Sequence, residues 1–477
     1  MSKRIQDHAQ QQFTTDCESE TYMSVETHPT TQRSPAASPG TPTTGRVTLI
    51  VLTSLVAGTA AALILTLVVF AGGTESVMTG SLLTGFGLGW ALIAVLTTRH
   101  TNRPQRWAAV PAAAMGGTGL ALMAFSPGND VITGLNWVWP PAVLALAVWM
   151  FVQTGHSLPR ASRWLLTPVI ATLALASLGG TYANITLAGG QHTYAAPGST
   201  YDVGDHRLHL DCRGHGGPTV VLFNGLGEIS ASWARVTDPV ADTGRVCAYD
   251  RAGQGWSDDT RHPQDGVAAA QDLHTLLAAA GETGPYVLVG HSTGGTYALN
   301  YAARYDDEVA GMVLLDSSSP EQLTRMPDYA GQYALMRRGL ALTPTLDRVG
   351  LGPLLATSSH LPASAAAQVT AMTSTPRAAR NARDELSVVL DVFAQAQAVT
   401  TLDDRPLAVL TASESLTTTG WAGAQDRLAR LSTNQVQRSV PSSHSGLLED
   451  ERPAAESVRA ITEVLSAVRT GSALAAK

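Results

Sequence analysis

Charge is distributed so unevenly along this chain that its first half is poorly suited to folding in water. Between Arg46 and Arg99 the only charged side chain is Glu75, and from Trp107 to Gly155 the only one is Asp130. From Trp164 to Tyr201 there is none. Over the whole chain charged residues make up 14%, against roughly 25% in a typical soluble protein. Five apolar stretches fill this half, at about 47–71, 77–98, 107–126, 135–154 and 164–187. Each has about the 20 residues that a helix needs to cross roughly 30 Å of hydrocarbon. Buried helices of a large soluble domain are the alternative, but those carry a polar face and these stretches carry almost none. The pattern predicts a five-helix transmembrane region over residues 46–188.

The loops give an orientation. Arg99, Arg103 and Arg106 lie between the second and third stretches, and Arg160 and Arg163 between the fourth and fifth. The connections at 72–76 and 127–134 contain no Lys or Arg, and Arg46 precedes the first stretch. Because positive residues stay on the cytoplasmic side, the amino terminus is expected inside the cell membrane and the chain after residue 188 outside. Residues 1–45 are rich in Thr, Ser, Gln and Pro, with almost no aliphatic periodicity. Such a segment buries too little apolar surface to offset its ordering entropy, so a disordered cytoplasmic tail is expected.

From residue 200 onward charges return and the periodicity changes. Short apolar runs at 206–212, 218–225, 245–250, 285–292, 309–316, 406–412 and 435–440 alternate with helical stretches near 228–238, 264–281, 294–305 and 453–469. Strands separated by helices predict a parallel sheet covered on both faces. A mostly helical insert at about 317–403 interrupts the alternation. The net charge of −7 is modest and no basic cluster appears, which argues against a nucleic-acid partner. No metal-ligand spacing and no phosphate-cradling glycine loop is present, so no metal and no cofactor is expected.

Within this half, "VLVGHSTGG" sets Ser292 between Gly290 and Gly294, at the junction of an apolar strand and a small-residue helix. That is the G-x-S-x-G pattern, whose glycines leave room for a sharp turn that exposes a serine hydroxyl. Three further segments fall in order around it: "FNGLGE" at 223–228, "YDRAGQGWSD" at 249–258 and "SVPSSHSGLLEDERP" at 439–453. On these motifs residues 200–470 resemble the α/β-hydrolase superfamily. "VLLDSSSPEQ" after the sixth strand looks like the bacterial extracytoplasmic, membrane-tethered members. The resemblance implies a mostly parallel hydrolase sheet, with the insert as a lid.

It also implies roles. Ser292 would be the nucleophile, and His444, in the Ser-rich loop before the last helix, its base. His206, His209 and His215 lie in strands or turns with no partner signal. The acid most often follows the strand at 406–412, but there this sequence reads "LTASESL" without an aspartate. Asp316, closing "MVLLD", is the position used by some members, and Glu414 is its rival. The oxyanion hole needs two backbone donors, for which Leu226 N–H and Thr293 N–H are the candidates. Asp250, Arg251 and Ser257 are expected to tie down a turn. In the family's sheet order the strand ending at Cys212 lies beside the strand holding Cys247, so these two of the chain's three cysteines are expected to form a disulfide, Cys17 lying in the tail.

The activity expected is that of a membrane-anchored, extracytoplasmic serine hydrolase acting on a small-molecule or lipid-like ester through an acyl-enzyme, with the lipid bilayer as its other partner. Met326, Tyr329, Tyr333, Leu335 and Leu340 of the insert suit either an apolar acyl pocket or a lid core. An acyltransferase or peptidase using the same triad, and a catalytically silent membrane receptor or scaffold, stay open on the sequence. The loop charges make one prediction directly. A periplasmic-type reporter fused at the carboxy terminus works, whereas one fused near residue 103 works only if it needs the cytoplasm. The reverse pattern would overturn the orientation.

Overall fold

The computed structural model describes residues 42–190, 194–260, 263–355 and 359–474. The expected tail therefore lies outside the described residues up to position 41, together with Cys17. Its last residues, 42–45, belong instead to the first helix, α1 (Pro42–Ile64), which a π-helical turn continues to Val69. Then come α2 (Glu75–His100), α3 (Ala109–Phe125), α4 (Asn129–Leu135), α5 (Trp139–Ser157) and α6 (Arg160–Gly190).

Four helical segments, Thr44–Val69, Glu75–His100, Arg106–Phe125 and Arg160–Ala188, are long and apolar enough to cross a membrane unaided. The fifth candidate span is broken. α4 and α5 qualify only together, and they meet at a bend of 46°. Pro140 and Pro141 occupy the first turn of α5; lacking N–H groups, they start a helix well but cannot continue one from α4. Residues 127–134 were expected as a plain connection, and α4 fills most of them. Small residues set the packing: a Cβ on Gly87 would sit 2.5 Å from the backbone of Gly116 on α3, the close approach that apolar helices use in lipid.

The second half is built on an eight-stranded sheet ordered β1-β2-β4-β3-β5-β6-β7-β8. Its strands are β1 (Ser199–Asp202), β2 (Arg207–Arg213), β3 (Val220–Phe223), β4 (Val246–Tyr249), β5 (Tyr286–His291), β6 (Val309–Leu315), β7 (Leu407–Ala412) and β8 (Gln435–Val440). β1 and β2 run antiparallel to their neighbours, and every other pairing is parallel. β1 escaped the sequence reading: "STYD" is short, polar and half exposed at a sheet edge. β3, β5 and β7 are buried along their whole length, as continuous apolar runs must be when helices cover both faces. One face packs on α8 (Gly266–Ala279) and α9 (Thr293–Arg304), the other on α7 (Ala234–Ala241) and α17 (Glu451–Thr470). α15 (Trp421–Ala429), also unanticipated, adds to the first of these faces, and the single turn α16 (Gly446–Glu449) to the second.

Between β6 and β7 the insert forms α10 (Gln322–Arg325), α11 (Tyr329–Arg348), α12 (Gly352–Leu355), α13 (Ala363–Thr373) and α14 (Pro376–Ala396). It is seated on one end of the apolar helices. Glu75, 2% exposed, accepts from both Nε and Nη2 of Arg348 on α11, the latter at 3.1 Å, and Arg380 Nη1 on α14 lies 3.8 Å away. Arg338 Nε donates to Leu67 O at 3.1 Å, Arg337 Nη2 donates to Gly72 O at 3.1 Å, and Thr345 bonds Thr79 at 2.8 Å. The one charged side chain between Arg46 and Arg99 is therefore a docking point for the insert.

Cys212 and Cys247 face each other in the β2–β4 register and are bonded, with Cα atoms 4.0 Å apart. The bond closes a loop of 35 residues, which in the chain-entropy model stabilises by about 3–4 kcal/mol. Replacing both cysteines with alanine is expected to lower the melting temperature of this half by several degrees, and a reductant to do the same to the unmutated protein. Equal melting with and without reductant would show that the bond contributes nothing.

Candidate active site

The three chain positions that sequence reasoning singled out follow β5, β6 and β8, at the carboxyl ends of parallel strands, where open α/β sheets place their ligands. Ser292 separates β5 from α9 with φ 54° and ψ −128°. This left-handed backbone is costly for a residue with a side chain, and it persists only where its surroundings impose it. Here they do. A Cβ on Gly290 would sit 2.4 Å from Gly295 Cα, and one on Gly294 would sit 2.2 Å from Phe223 O. Ser292 N donates to Leu315 O at 3.1 Å and its carbonyl accepts from Ser318 N at 3.0 Å, pinning the turn to the neighbouring strand.

Asp316 is fully buried, also at positive φ (42°), and satisfied on both oxygens. Oδ1 accepts from Ala412 N (3.2 Å) and Trp421 Nε1 (2.8 Å). Oδ2 accepts from Ser415 Oγ (2.5 Å) and His444 Nδ1 (2.6 Å). Burial pushes its carboxyl upward, but the bonds from His444, Ser415 and Trp421 outweigh this and hold it below the ordinary carboxylate range. The structure thus puts Asp316 on His444. Glu414 is exposed, and among the described residues only its backbone makes hydrogen bonds. With Nδ1 donating to Asp316, Nε2 is the His444 ring nitrogen left to accept a proton.

Around the turn after β3, three amides have distinct fates. Gly225 N donates to Glu228 Oε2 at 2.5 Å, and Gly227 N donates to Glu385 Oε2 of α14 at 3.3 Å. Leu226 N, between them, has no partner among the described residues, and neither has Thr293 N at the start of α9. Two such amides near the partly buried Ser292 can receive a developing oxyanion. Arg251 supports this loop from beneath, donating to Asn224 O (2.6 Å) and Gly225 O (3.2 Å) and pairing with Glu385 (3.0 Å). Asp250 and Ser257 brace the neighbouring turn: Asp250 accepts from Ser230 N at 2.6 Å, and Ser257 Oγ donates to Asp250 O at 2.6 Å.

Sequence reasoning missed Glu228 and His291. His291 Nδ1 lies 2.6 Å from Glu228 Oε1, and its Nε2 lies 3.0 Å from His444 O. Both partners are acceptors, so the imidazole must donate from both nitrogens and carries a positive charge. Burial opposes that charge, but Glu228 overcomes it and holds His291 above its ordinary value, while Glu228 is held below its own. The His291 and His444 rings lie 4.6 Å apart. The only signal in the sequence was a lone glutamate three residues after Gly225, which periodicity cannot interpret. Two further histidines have partners that the sequence does not signal. His209 does have a carboxylate partner, Asp250 Oδ2 at 2.9 Å, and His206 Nε2 lies 3.0 Å from Asp272; both pairs join elements distant in sequence. Of the insert residues, Met326 and Tyr329 are buried with Leu386, Phe393 and Trp421, and Tyr333, Leu340 and Leu226 pack against them. Leu335 instead is 70% exposed.

Residues 218–450 match the family model described as the alpha/beta hydrolase fold. The second half of this chain has the α/β-hydrolase fold. A protein of Schizosaccharomyces pombe, named only as uncharacterized, is 28% identical to the chain over 257 residues, 47% of this chain and 45% of that protein. A protein of Hormonema carpetanum named as a probable transporter is 34% identical over 140 residues, 28% of this chain and 20% of its own length. The chain thus spans less than half the length of these relatives. Among solved structures, an enol-lactonase of Burkholderia xenovorans is 21% identical with a TM-score of 0.41, covering 56% of this chain and 100% of its own. An epoxide hydrolase of Acinetobacter nosocomialis is 16% identical with a TM-score of 0.49, covering 60% and 96%.

The Glu228–His291 pair of the hydrolase domain gives a signed pH prediction. His291, raised, contributes stability fully below its ordinary value near 6.5 and loses it as pH climbs through its raised value. Glu228, lowered, contributes above its ordinary value near 4.5 and loses it as pH falls through its lowered value. Melting temperature should therefore be flat between these ordinary values and fall on either side. Glu228→Gln should move the His291 imidazole titration, followed by NMR, downward; an unmoved titration would refute the pairing.

Proposed function

We propose that the protein is a membrane-anchored serine hydrolase, most simply a carboxylic-ester hydrolase, with its α/β-hydrolase domain on the extracytoplasmic side. The observation that carries this reading is the Asp316–His444 hydrogen bond, on the sheet edge that also bears a serine held at positive φ and two amides without a partner among the described residues. The arginines gathered in the loops at one end of the apolar helices support the orientation.

In this reading Ser292 Oγ attacks the ester carbonyl while His444 Nε2 takes its proton. The tetrahedral oxyanion is received by Leu226 N–H and Thr293 N–H. Collapse expels the alkoxide, protonated by His444, and leaves an acyl-serine. Water, deprotonated by the same imidazole, then releases the acid and restores Ser292. Asp316 keeps Nδ1 protonated and stabilises the imidazolium without itself taking the proton.

Ser292→Ala should abolish labelling by a fluorophosphonate and turnover of p-nitrophenyl esters while leaving the melting temperature unchanged, and His444→Ala should match it, since such residues act as a unit. Asp316→Asn should cost about 10⁴ in kcat, and Glu414→Gln almost nothing. Labelling of another serine in the Ser292→Ala protein would sink the reading.

A further inference from the structure

Helical rise gives the insert a depth. At 1.5 Å per residue, Leu67 lies about 31 Å along its helix from Arg46, Glu75 about 36 Å from Arg99, and Gly179 about 24 Å from Arg163. The hydrocarbon of a bilayer is about 30 Å thick. The groups that hold the insert therefore lie at or just within the far boundary of that layer, level with the lipid headgroups and the ester-linked ends of their acyl chains. They are Leu67 O under Arg338, Glu75 under Arg348, and Gly179, where a Cβ would meet Val349 O.

At this level the insert turns apolar side chains outward. Leu335 is 70%, Leu354 79% and Leu355 53% exposed. The helices themselves expose apolar side chains next to these docking points, Val68 beside Leu67 at 71% and Leu178 beside Gly179 at 54%. Exposed apolar side chains of this kind, at the level where membrane-crossing helices end and with Arg338 among them, fit one occupant, the lipid leaflet at that boundary.

α11 connects this surface to the chemistry. At 100° per residue, Tyr329, Tyr333 and Leu340 share one side of it, and Arg338 and Thr345 lie on the opposite side. The first set packs with Leu226, whose amide is an oxyanion candidate, and the second bonds the helix ends. One helix, about 10 Å across, separates the candidate active site from the leaflet. We infer that the substrate is an ester carried in the bilayer, reached along α11 from the leaflet on which the insert rests. This inference rests on the serine-hydrolase reading and narrows its substrate class.

The test uses the full chain in phosphatidylcholine vesicles, with dioleoylglycerol as the bilayer-borne ester and p-nitrophenyl acetate as the soluble one. Wild type should cleave both, and its rate on dioleoylglycerol should follow the mole fraction in the bilayer when phosphatidylcholine is added at constant bulk ester. Leu335→Ser, Leu354→Ser and Leu355→Ser combined should lose about tenfold or more on dioleoylglycerol and change less than about twofold on the acetate. Equal losses on both esters, or no loss on either, would overturn the inference, as would a changed oligomeric state with the ratio of rates preserved, which would assign the surface to a second copy. A protein whose Ser292 is labelled by fluorophosphonate and which cleaves the acetate but not dioleoylglycerol refutes the inference and leaves the hydrolase reading standing. Absence of labelling and of both activities refutes both.

Discussion

A carboxylate buried at the end of an apolar helix has to be paired, because removing a partner from a buried ion pair costs roughly 3–5 kcal/mol. Glu75 is that carboxylate, and its partners Arg348 and Arg380 come from two different helices of the insert, α11 and α14. The pairing does more than join two halves of a chain. Five residues after Arg380, α14 presents Glu385, which accepts from Gly227 N and pairs with Arg251 beneath the loop that follows β3. A single helix thus carries the contact to the helix end and the contact that leaves Leu226 N as the free amide of its turn. Asp347, beside Arg348, feels the same crowding: burial first, and then the charge of Glu75, push its carboxyl up to about 6.

The sheet supplies what the insert does not. Ser292, Asp316 and His444 lie far apart in sequence and come to the same edge because β5, β6, β7 and β8 are adjacent and parallel, so that their carboxyl ends open there. Two of the three are held at positive φ. For Ser292 the strain is maintained by glycines that let α9 and β3 approach; for Asp316 it is maintained by four hydrogen bonds, from Ala412, Trp421, Ser415 and His444. Glu228 and His291 tie the turn after β3 to the backbone of His444, which places that turn and the loop bearing His444 on one hydrogen-bonded frame.

Much of this was legible before any coordinate. Twenty-residue apolar stretches and the alternation of buried strands with helices follow from local composition, because the hydrophobic requirement acts residue by residue along each element. The serine turn was legible for the same reason: Gly290 and Gly294 are demanded by the backbone on either side of them. Less legible were elements stabilised by neighbours. β1 is a polar tetrapeptide that pairs with β2, and the break between α4 and α5 shows in the sequence only as two prolines inside an otherwise suitable stretch.

What the sequence by itself determined, then, is the division into an apolar and a hydrolase-like half, the parallel sheet and the strained serine, each fixed by short-range pattern. What only the tertiary structure decided is which side chains share a site. Asp316 and Glu414 were both available, and the choice fell to Asp316 because β6 lies beside β7, whose end brings Ala412, Ser415 and Trp421 onto its carboxylate. Glu75 was visible as an isolated charge, but its partners lie more than 270 positions away. Pairing across such separations depends on where whole elements pack, and no local spacing in the chain records that.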